Sequence, residues 1–342
     1  MSDLAEALNL LVAGHTLSAA QSANAVTEIM NGHQPPELVA AFLTALAIRA
    51  PSVEEIVGAA MAMRATMTRI VAPSNAIDLC GTGGDGQGTY NVSTAASLIV
   101  AACGIPVAKH GNRKASSKSG TADVLEELSL PINLRPREAE AALEKHKFAF
   151  LFAPLYHGAM RNVAPIRKEL GFRTIFNLLG PLCNPAGVKF QLLGVFSDEW
   201  VEKLAYVLKD LGSKRALVVH GHDGLDELTT TTTTLAAELR DGEVALRQIS
   251  PEEAGVSRSA VSQLVGGDAR HNAEALRSLL RGEAGPFRDI ALLNSAAALQ
   301  IVGRVETLAD GIHIAAAAID EGHAERLLHN LVRTECKQGL RP

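Results

Sequence analysis

The sequence predicts an α/β protein in two parts. A small all-helical N-terminal domain (residues 1–72) precedes a large α/β domain (residues 73–342) with a mostly parallel central sheet flanked by helices. Two observations carry that expectation. Residues 1–70 hold helical patterns alone, and from Ile77 onward short apolar runs alternate with helical stretches, the order that builds βαβ units. At 342 residues the chain is also long enough for two unequal domains.

In the helical part, Leu4, Leu8, Leu11 and Val12 are expected on one face. Ser18 with Gln21, and Ser52 with Glu55, have capping-box spacing. Pro35-Pro36 suits the start of the helix ELVAAFLTALAIRA, and APSN (Ala72–Asn75) reads as a linker. IDLC is then a strand, followed by a glycine loop and a helix from about Val92 to Cys103. IPVAKH, FAFLFA, FQLLGVF and ALVVHG are further strands, and AAELRDGEVALRQI is a hairpin turning at Asp241-Gly242. The tract Thr229–Thr234 is all β-branched and is expected to run extended. The C-terminal quarter returns to helices.

Composition removes several function classes. Hydrophobic residues are 47% and charged residues 20%, enough for a packed core. Aromatics are only 4% and the net charge is −5, which argues against stacking platforms and backbone attraction for nucleic acid. The four cysteines are scattered with no C-x-x-C pair, as in a reduced, cytoplasmic chain rather than a zinc or disulfide scaffold. The longest apolar run is broken by Gly104 and Pro106, so no membrane span is expected.

The stretch DLCGTGGDGQGTYNVST carries five glycines between Gly81 and Gly88. Gly81-x-Gly83-x-x-Gly86 matches the dinucleotide fingerprint, which also wants an acid about 20 residues on. No Asp or Glu occurs from Gly86 to Ala122. That window instead holds Lys109, Arg113, Lys114 and Lys118 with hydroxyls at Thr89, Ser93, Thr94, Ser116, Ser117, Ser119 and Thr121. Two loops after consecutive strands thus offer amides, hydroxyls and cations at one sheet edge, the chemistry of a phosphate cradle. Either loop alone reads first as a solvated turn; the pair reverses that reading and points to a ligand with two separated phosphate groups. No G-x-x-x-x-G-K-[ST] follows, so a nucleoside triphosphate is not the expected ligand.

Asp226 and Glu227 are adjacent after ALVVHG. Such a pair is either an exposed turn or, facing phosphates, a magnesium site. Arg161, Arg167, Lys168 and Arg173 lie in helical segments, and Arg167 is a candidate for bidentate pairing with a carboxylate. His110 and His157 are candidate acid–base groups or packed side chains.

Four ordered motifs carry a family resemblance: GTGGDG…TYNVST, KHGNRKASSKSGTADVLEEL, APLYHGAMRNVAPIRKELGFRTIFNLLGPLCNPA and DGLDELT. Together they resemble the anthranilate phosphoribosyltransferases of the nucleoside-phosphorylase fold type. The resemblance implies a cytoplasmic homodimer that transfers the phosphoribosyl group of 5-phosphoribosyl 1-diphosphate (PRPP) to anthranilate in tryptophan biosynthesis. It implies a small domain completed by helices from about 155–185. Donor-binding residues would be Gly81, Gly84, Asp85, Thr89, Asn91, Val92, Ser93, Thr94, Lys109, His110, Gly111, Asn112, Arg113, Lys114, Ala115, Ser116, Ser117 and Thr121. Gly81, His110, Asn112, Pro154, His157 and Arg167 would meet anthranilate. Ser93, Asp226 and Glu227 would organise magnesium, two ions per subunit.

Two departures stand out. Threonines continue after DELT where a Gly/Pro turn is usual, and Ser129 stands where Gly is usual. The chain begins directly at the small helical domain, so no fused amidotransferase is expected. The rival readings are a pyrimidine nucleoside phosphorylase on the same fold, a non-enzymatic nucleic-acid binder, and a nicotinamide dehydrogenase.

Overall fold

Four helices open the chain: α1 (Asp3–Val12), α2 (Ala19–Asn31), α3 (Pro36–Arg49) and α4 (Val53–Thr66). The computed structural model describes residues 2–113 and 119–338. Both expected capping boxes form, at Ser18–Gln21 and Ser52–Glu55, and Pro36 occupies the first turn of α3. In α1 the buried residues are Leu4, Ala7 and Leu11, whereas Val12 is 77% exposed. This corrects the expected face. At 100° per residue Val12 falls at the edge of the Leu4–Ala7–Leu11 stripe, and it ends the helix.

The large domain then runs β1 (Ile77–Gly81), α5 (Val92–Ala102), β2 (Val107–Gly111), α6 (Thr121–Glu127), α7 (Pro136–His146), β3 (Phe148–Phe152), α8 (Ala153–Tyr156), α9 (Ala164–Leu170), α10 (Phe176–Leu182), β4 (Phe190–Gly194) and α11 (Glu199–Asp210). It continues with β5 (Arg215–Gly221), β6 (Thr234–Arg240), β7 (Glu243–Ile249), α12 (Ala269–Leu280), α13 (Pro286–Ile301), α14 (Leu308–Asp320) and α15 (His323–Gln338). The strands form one sheet in the order β3-β2-β1-β4-β5-β6-β7. The first five are parallel, and β6 and β7 close the edge as the expected antiparallel hairpin. Asp241 and Gly242 both take positive φ, as a tight two-residue turn requires.

Alternate strand residues serve opposite layers. Leu79, Leu192 and Leu217 pack with α5, α13 and α14, while Cys80, Leu193 and Val218 pack with α10 and α11. The second layer runs on into the N-terminal helices, because α4 packs on α10 and α11. Arg64 of α4 donates from Nε to the Leu182 carbonyl at 2.7 Å across that contact. The short helices after β3 also meet the N-terminal ones: α9 packs on α3, and Asn162 Nδ2 donates to the Met30 carbonyl at 2.7 Å.

The threonine tract does not run extended. Only Thr234 enters β6, and Thr230–Thr232 form a bend. The Asp223 carboxylate accepts the hydroxyls of Thr229 and Thr231 and overrides their strand preference.

Candidate active site

The strand order reverses between β1 and β4, with β2 and β3 laid on one side and β5 on the other. Open parallel sheets bind ligands outside the carboxyl ends of strands at such a switch point. The glycine loop leaves β1 there, the Lys109–Arg113 segment ends β2 beside it, and the Asp226-Glu227 loop follows β5.

Glycine is required in this loop for two reasons. Gly84 has φ +80°, a conformation that costs an L side chain about 1–2 kcal/mol. Gly81 has ordinary φ but no space, since a Cβ there would collide with the Asp226 carboxylate. The acid pair thus lies directly across the loop. Asp226 Oδ2 accepts the Gly83 amide at 2.9 Å, and Glu227 Oε1 accepts the Ser93 amide at 3.1 Å, at the start of α5. The two amides favour the ionised carboxylates, but burial and crowding outweigh them. Burial, then the charge of Asp85, holds Asp226 well above the usual carboxylate range. Burial, then Asp226, does the same to Glu227, and burial raises Asp85. Among the described residues no three acids or histidines converge as a complete metal cage, but the adjacent carboxyls of Asp226 and Glu227 offer hard oxygens of the kind magnesium takes together with ligand phosphates.

The second loop adds a buried cation. Lys109 is 1% exposed, and its Nζ donates to the Leu79 carbonyl at 2.5 Å and to Ser93 Oγ at 3.2 Å. Burial lowers its pKa against the opposing pull of Asp78, Cys80, Glu227 and Asp226. Thr94 and Thr121, which open α5 and α6, bring their hydroxyls to 3.4 Å and join the two loops. Gly81, Gly84, Asp85, Thr89, Asn91, Ser93, Thr94, Gly111 and Thr121 therefore gather at this edge. Val92 points into the core at 2% exposure, leaving only its backbone for a ligand. Arg113 turns to α6, where Glu126 and Asp123 take its guanidinium. Asn112 is exposed and accepts the Arg113 amide. Lys114, Ala115, Ser116 and Ser117 lie outside the described residues.

His110 and His157 form a buried pair with Nε2 atoms 3.2 Å apart, and His110 Nδ1 faces the Gly180 carbonyl at 3.1 Å. That carbonyl fixes the Nδ1–H tautomer of His110, so His157 donates to its Nε2. Burial holds them neutral, at about 3 for His110 and about 4 for His157. Pro154 is exposed at the start of α8. Arg167, half-buried, lies over the Phe176 ring at 5.7 Å and donates to Asn177 Oδ1 at 3.3 Å. The same oxygen accepts the Thr174 amide at 3.0 Å. The neighbouring Arg173 stacks on Phe196 at 4.0 Å and donates to the Gly84 carbonyl. The Arg167 segment is therefore tied to the glycine loop.

The chain matches the glycosyl transferase family helical bundle domain over residues 5–67 and the family's a/b domain over residues 73–325. A protein named anthranilate phosphoribosyltransferase from Methylocella silvestris is 52% identical over 333 residues, covering 97% of this chain and 95% of that one. The chain belongs to the anthranilate phosphoribosyltransferase family. A family member from Bradyrhizobium sp. is 51% identical over 332 residues, covering 97% and 98%. The crystal structure of the Thermus thermophilus member superposes with a TM-score of 0.91 at 40% identity, covering 96% of this chain and 99% of that one. The Saccharomyces cerevisiae member, solved in complex with PRPP and Mg, gives 0.89 at 28% identity and 98% coverage of both.

Several residues of this candidate site escaped the sequence reading. Asn272 of α12 is 2% exposed, takes the Gly267 amide at 2.7 Å and donates to Asn91 Oδ1 at 2.9 Å. Its signal was a polar residue on the apolar face of a helix. Asp78, wholly buried in β1, accepts from the His110 amide at 3.2 Å and from Asn184 Nδ2 at 2.8 Å. Its signal was a carboxylate inside an apolar strand. Arg173 was visible as a cation, but not as the tie to Gly84.

Proposed function

We infer that the protein transfers the 5-phosphoribosyl group of PRPP to the amine of anthranilate, giving N-(5-phosphoribosyl)anthranilate and pyrophosphate. The observation that carries this reading is the acid pair across the glycine loop, Asp226 on the Gly83 amide and Glu227 on the Ser93 amide. A loop of amides and hydroxyls suits the anionic ends of the donor. In this reading Gly81, Gly84, Asp85, Thr89, Asn91–Thr94, Lys109–Ser117 and Thr121 hold the donor. Arg167 faces the anthranilate carboxylate, and Gly81, His110, Asn112, Pro154 and His157 line the acceptor's position. Ser93, Asp226 and Glu227 hold magnesium, two ions per subunit, and the subunits pair as homodimers.

Magnesium, when bound, supplies charge neutralisation for the departing pyrophosphate. The chain's own residues supply position and electrostatics. The amine is nucleophilic when neutral, and positive charge developing on the ribose is delocalised by its ring oxygen. The site therefore needs no strong base. The neutral His110–His157 pair fits that requirement, since it adds no cation beside the developing charge. Among the described residues no helix is long and apolar enough to cross a membrane. Anthranilate fluoresces, so its signal should decay on adding PRPP and magnesium and persist when either is left out. A signal that persists with both present would rule the activity out.

A further inference from the structure

The threonine tract holds none of the residues read as substrate-binding, yet it is hydrogen-bonded to the start of the acidic loop. Asp223 lies three residues before Asp226. Its Oδ2 accepts the Thr229 hydroxyl at 2.5 Å and also the Thr231 hydroxyl, and its Oδ1 accepts the Leu225 amide at 3.2 Å. Thr229 Oγ1 accepts the Thr231 amide at 3.0 Å, and Thr234 Oγ1 accepts the Thr229 amide at 3.0 Å. Leu228 is held on both sides by Asn294, which accepts its amide at 3.1 Å and donates to its carbonyl at 2.8 Å. Asp226 and Glu227 therefore sit in a turn whose two ends converge on one carboxylate. From the opposite side, Gln87 of the glycine loop donates from Nε2 to the Asp223 carbonyl at 3.2 Å.

We propose that Asp223 is a positioning residue, which uses the Thr229 and Thr231 hydroxyls to lock the turn presenting Asp226 and Glu227 to the divalent cation. Through Gln87 it also sets the spacing between that turn and the glycine loop. Thr229, the last residue of DELT, and Thr231, beyond it, thus clamp the turn through their hydroxyls. The inference rests on the reading that the acid pair holds the metal. Hydrogen bonds made directly to ligating side chains affect metal affinity by about 10- to 100-fold; Asp223 acts one step further out, on the backbone that carries them, so the lower end of that range is expected.

The test is Mn2+ binding followed by electron paramagnetic resonance, with pyrophosphate present, alongside thermal melting. Thr231→Val keeps the shape and removes the hydroxyl; Thr231→Ser keeps the hydroxyl. Asp223→Asn replaces one acceptor oxygen with a donor. Thr231→Val and Asp223→Asn should weaken Mn2+ by about tenfold, and Thr231→Ser should bind as the parent does. If Thr231→Val does not fold, the Asp223→Asn and Thr231→Ser pair decides. Melting lowered with Mn2+ affinity unchanged would make the clamp merely structural and overturn the proposal. Asp226→Asn separates the two readings. If it loses Mn2+ while the clamp variants keep it, the clamp alone fails; if it keeps Mn2+, the metal reading fails and takes the clamp with it.

Discussion

The carboxylate of Asp226 accepts the amide of Gly83 at 2.9 Å, joining segments 143 residues apart. It does so while crowded by Asp85 and Glu227, all three held above their ordinary pKa. Function and stability therefore pull on this residue in opposite directions. Asp226→Asn keeps an oxygen for the Gly83 amide and removes one charge from the crowd. Its melting temperature should match or exceed that of the parent, while turnover falls about 100-fold or more. A variant that melts lower and remains active would contradict the assignment.

Gly194 ends β4 beneath the same loop, and a Cβ there would fall on the Asp226 backbone carbonyl. Backbone cannot swing aside as a side-chain tip can. Gly194→Ala should therefore displace the acidic loop and lower stability by about 1–3 kcal/mol. Thermal melting together with the magnesium dependence of turnover checks both effects. A fully active, equally stable Gly194→Ala protein would mean that this loop is not held against β4.

Much of this site was legible in the sequence because it is local. Glycines mark the loop from Gly81, and hydroxyls with an absence of acids mark Gly86–Ala122, without any tertiary knowledge, and Asp226-Glu227 follows a readable strand. Side-chain contacts between distant segments were not legible. Arg113 reads as a free cation until α6 offers Glu126, and Thr229–Thr234 reads as a strand until Asp223 gathers its hydroxyls. The four N-terminal helices were readable as a unit. Their merger with one face of the sheet was not, because it depends on α10 and α11 arriving from much later in the chain.

Arg167 is partly desolvated, which lowers its pKa, and among the described residues no charged partner opposes that shift. Its contacts are an amide oxygen and an aromatic ring. A guanidinium held this way gains strongly from an anionic ligand. Arg167→Ala should raise the KM for anthranilate by roughly 10- to 100-fold and change the KM for PRPP far less. Steady-state kinetics with each substrate varied in turn decide it, and an unchanged anthranilate KM removes the role.

The buried histidines set an acid limit on stability. His110 faces His157 and Lys109, and its own amide donates to the Asp78 carboxylate. With the rings at about 3 and about 4 in the fold against about 6.5 when unfolded, the unfolded chain binds more protons. The two rings' contribution is then full above about pH 6.5 and falls as pH drops toward the folded values, by up to about 1.4 kcal/mol per unit for each ring, whereas the raised carboxyls of Asp78, Asp226 and Glu227 contribute in the opposite sense. His157→Gln retains a donor for His110 and removes one titrating ring. Because the carboxyls are common to both proteins, its melting temperature relative to the parent's should rise as pH falls from about 7 to about 5. Equal slopes for the two proteins would show that the pair does not titrate on unfolding.

Ser129 follows α6 with φ +59°. Its amide donates to the Glu126 carbonyl at 2.8 Å, and the Leu130 amide reaches back to the Leu125 carbonyl at 2.8 Å. This is the left-handed helix stop that glycine makes without strain, so serine preserves the turn geometry and carries a Cβ penalty. Glycine would relieve that penalty but add flexibility to the unfolded chain, and the two effects oppose each other. The steric effect is the larger in this conformation. Ser129→Gly should therefore stabilise the protein by up to about 1 kcal/mol, a rise of about 2 °C in melting temperature. Kinetics should not change, because Ser129 lies beyond the far end of α6 from Thr121. A melting temperature that falls would mean that the unfolded-state entropy of glycine outweighs the strain at this helix end.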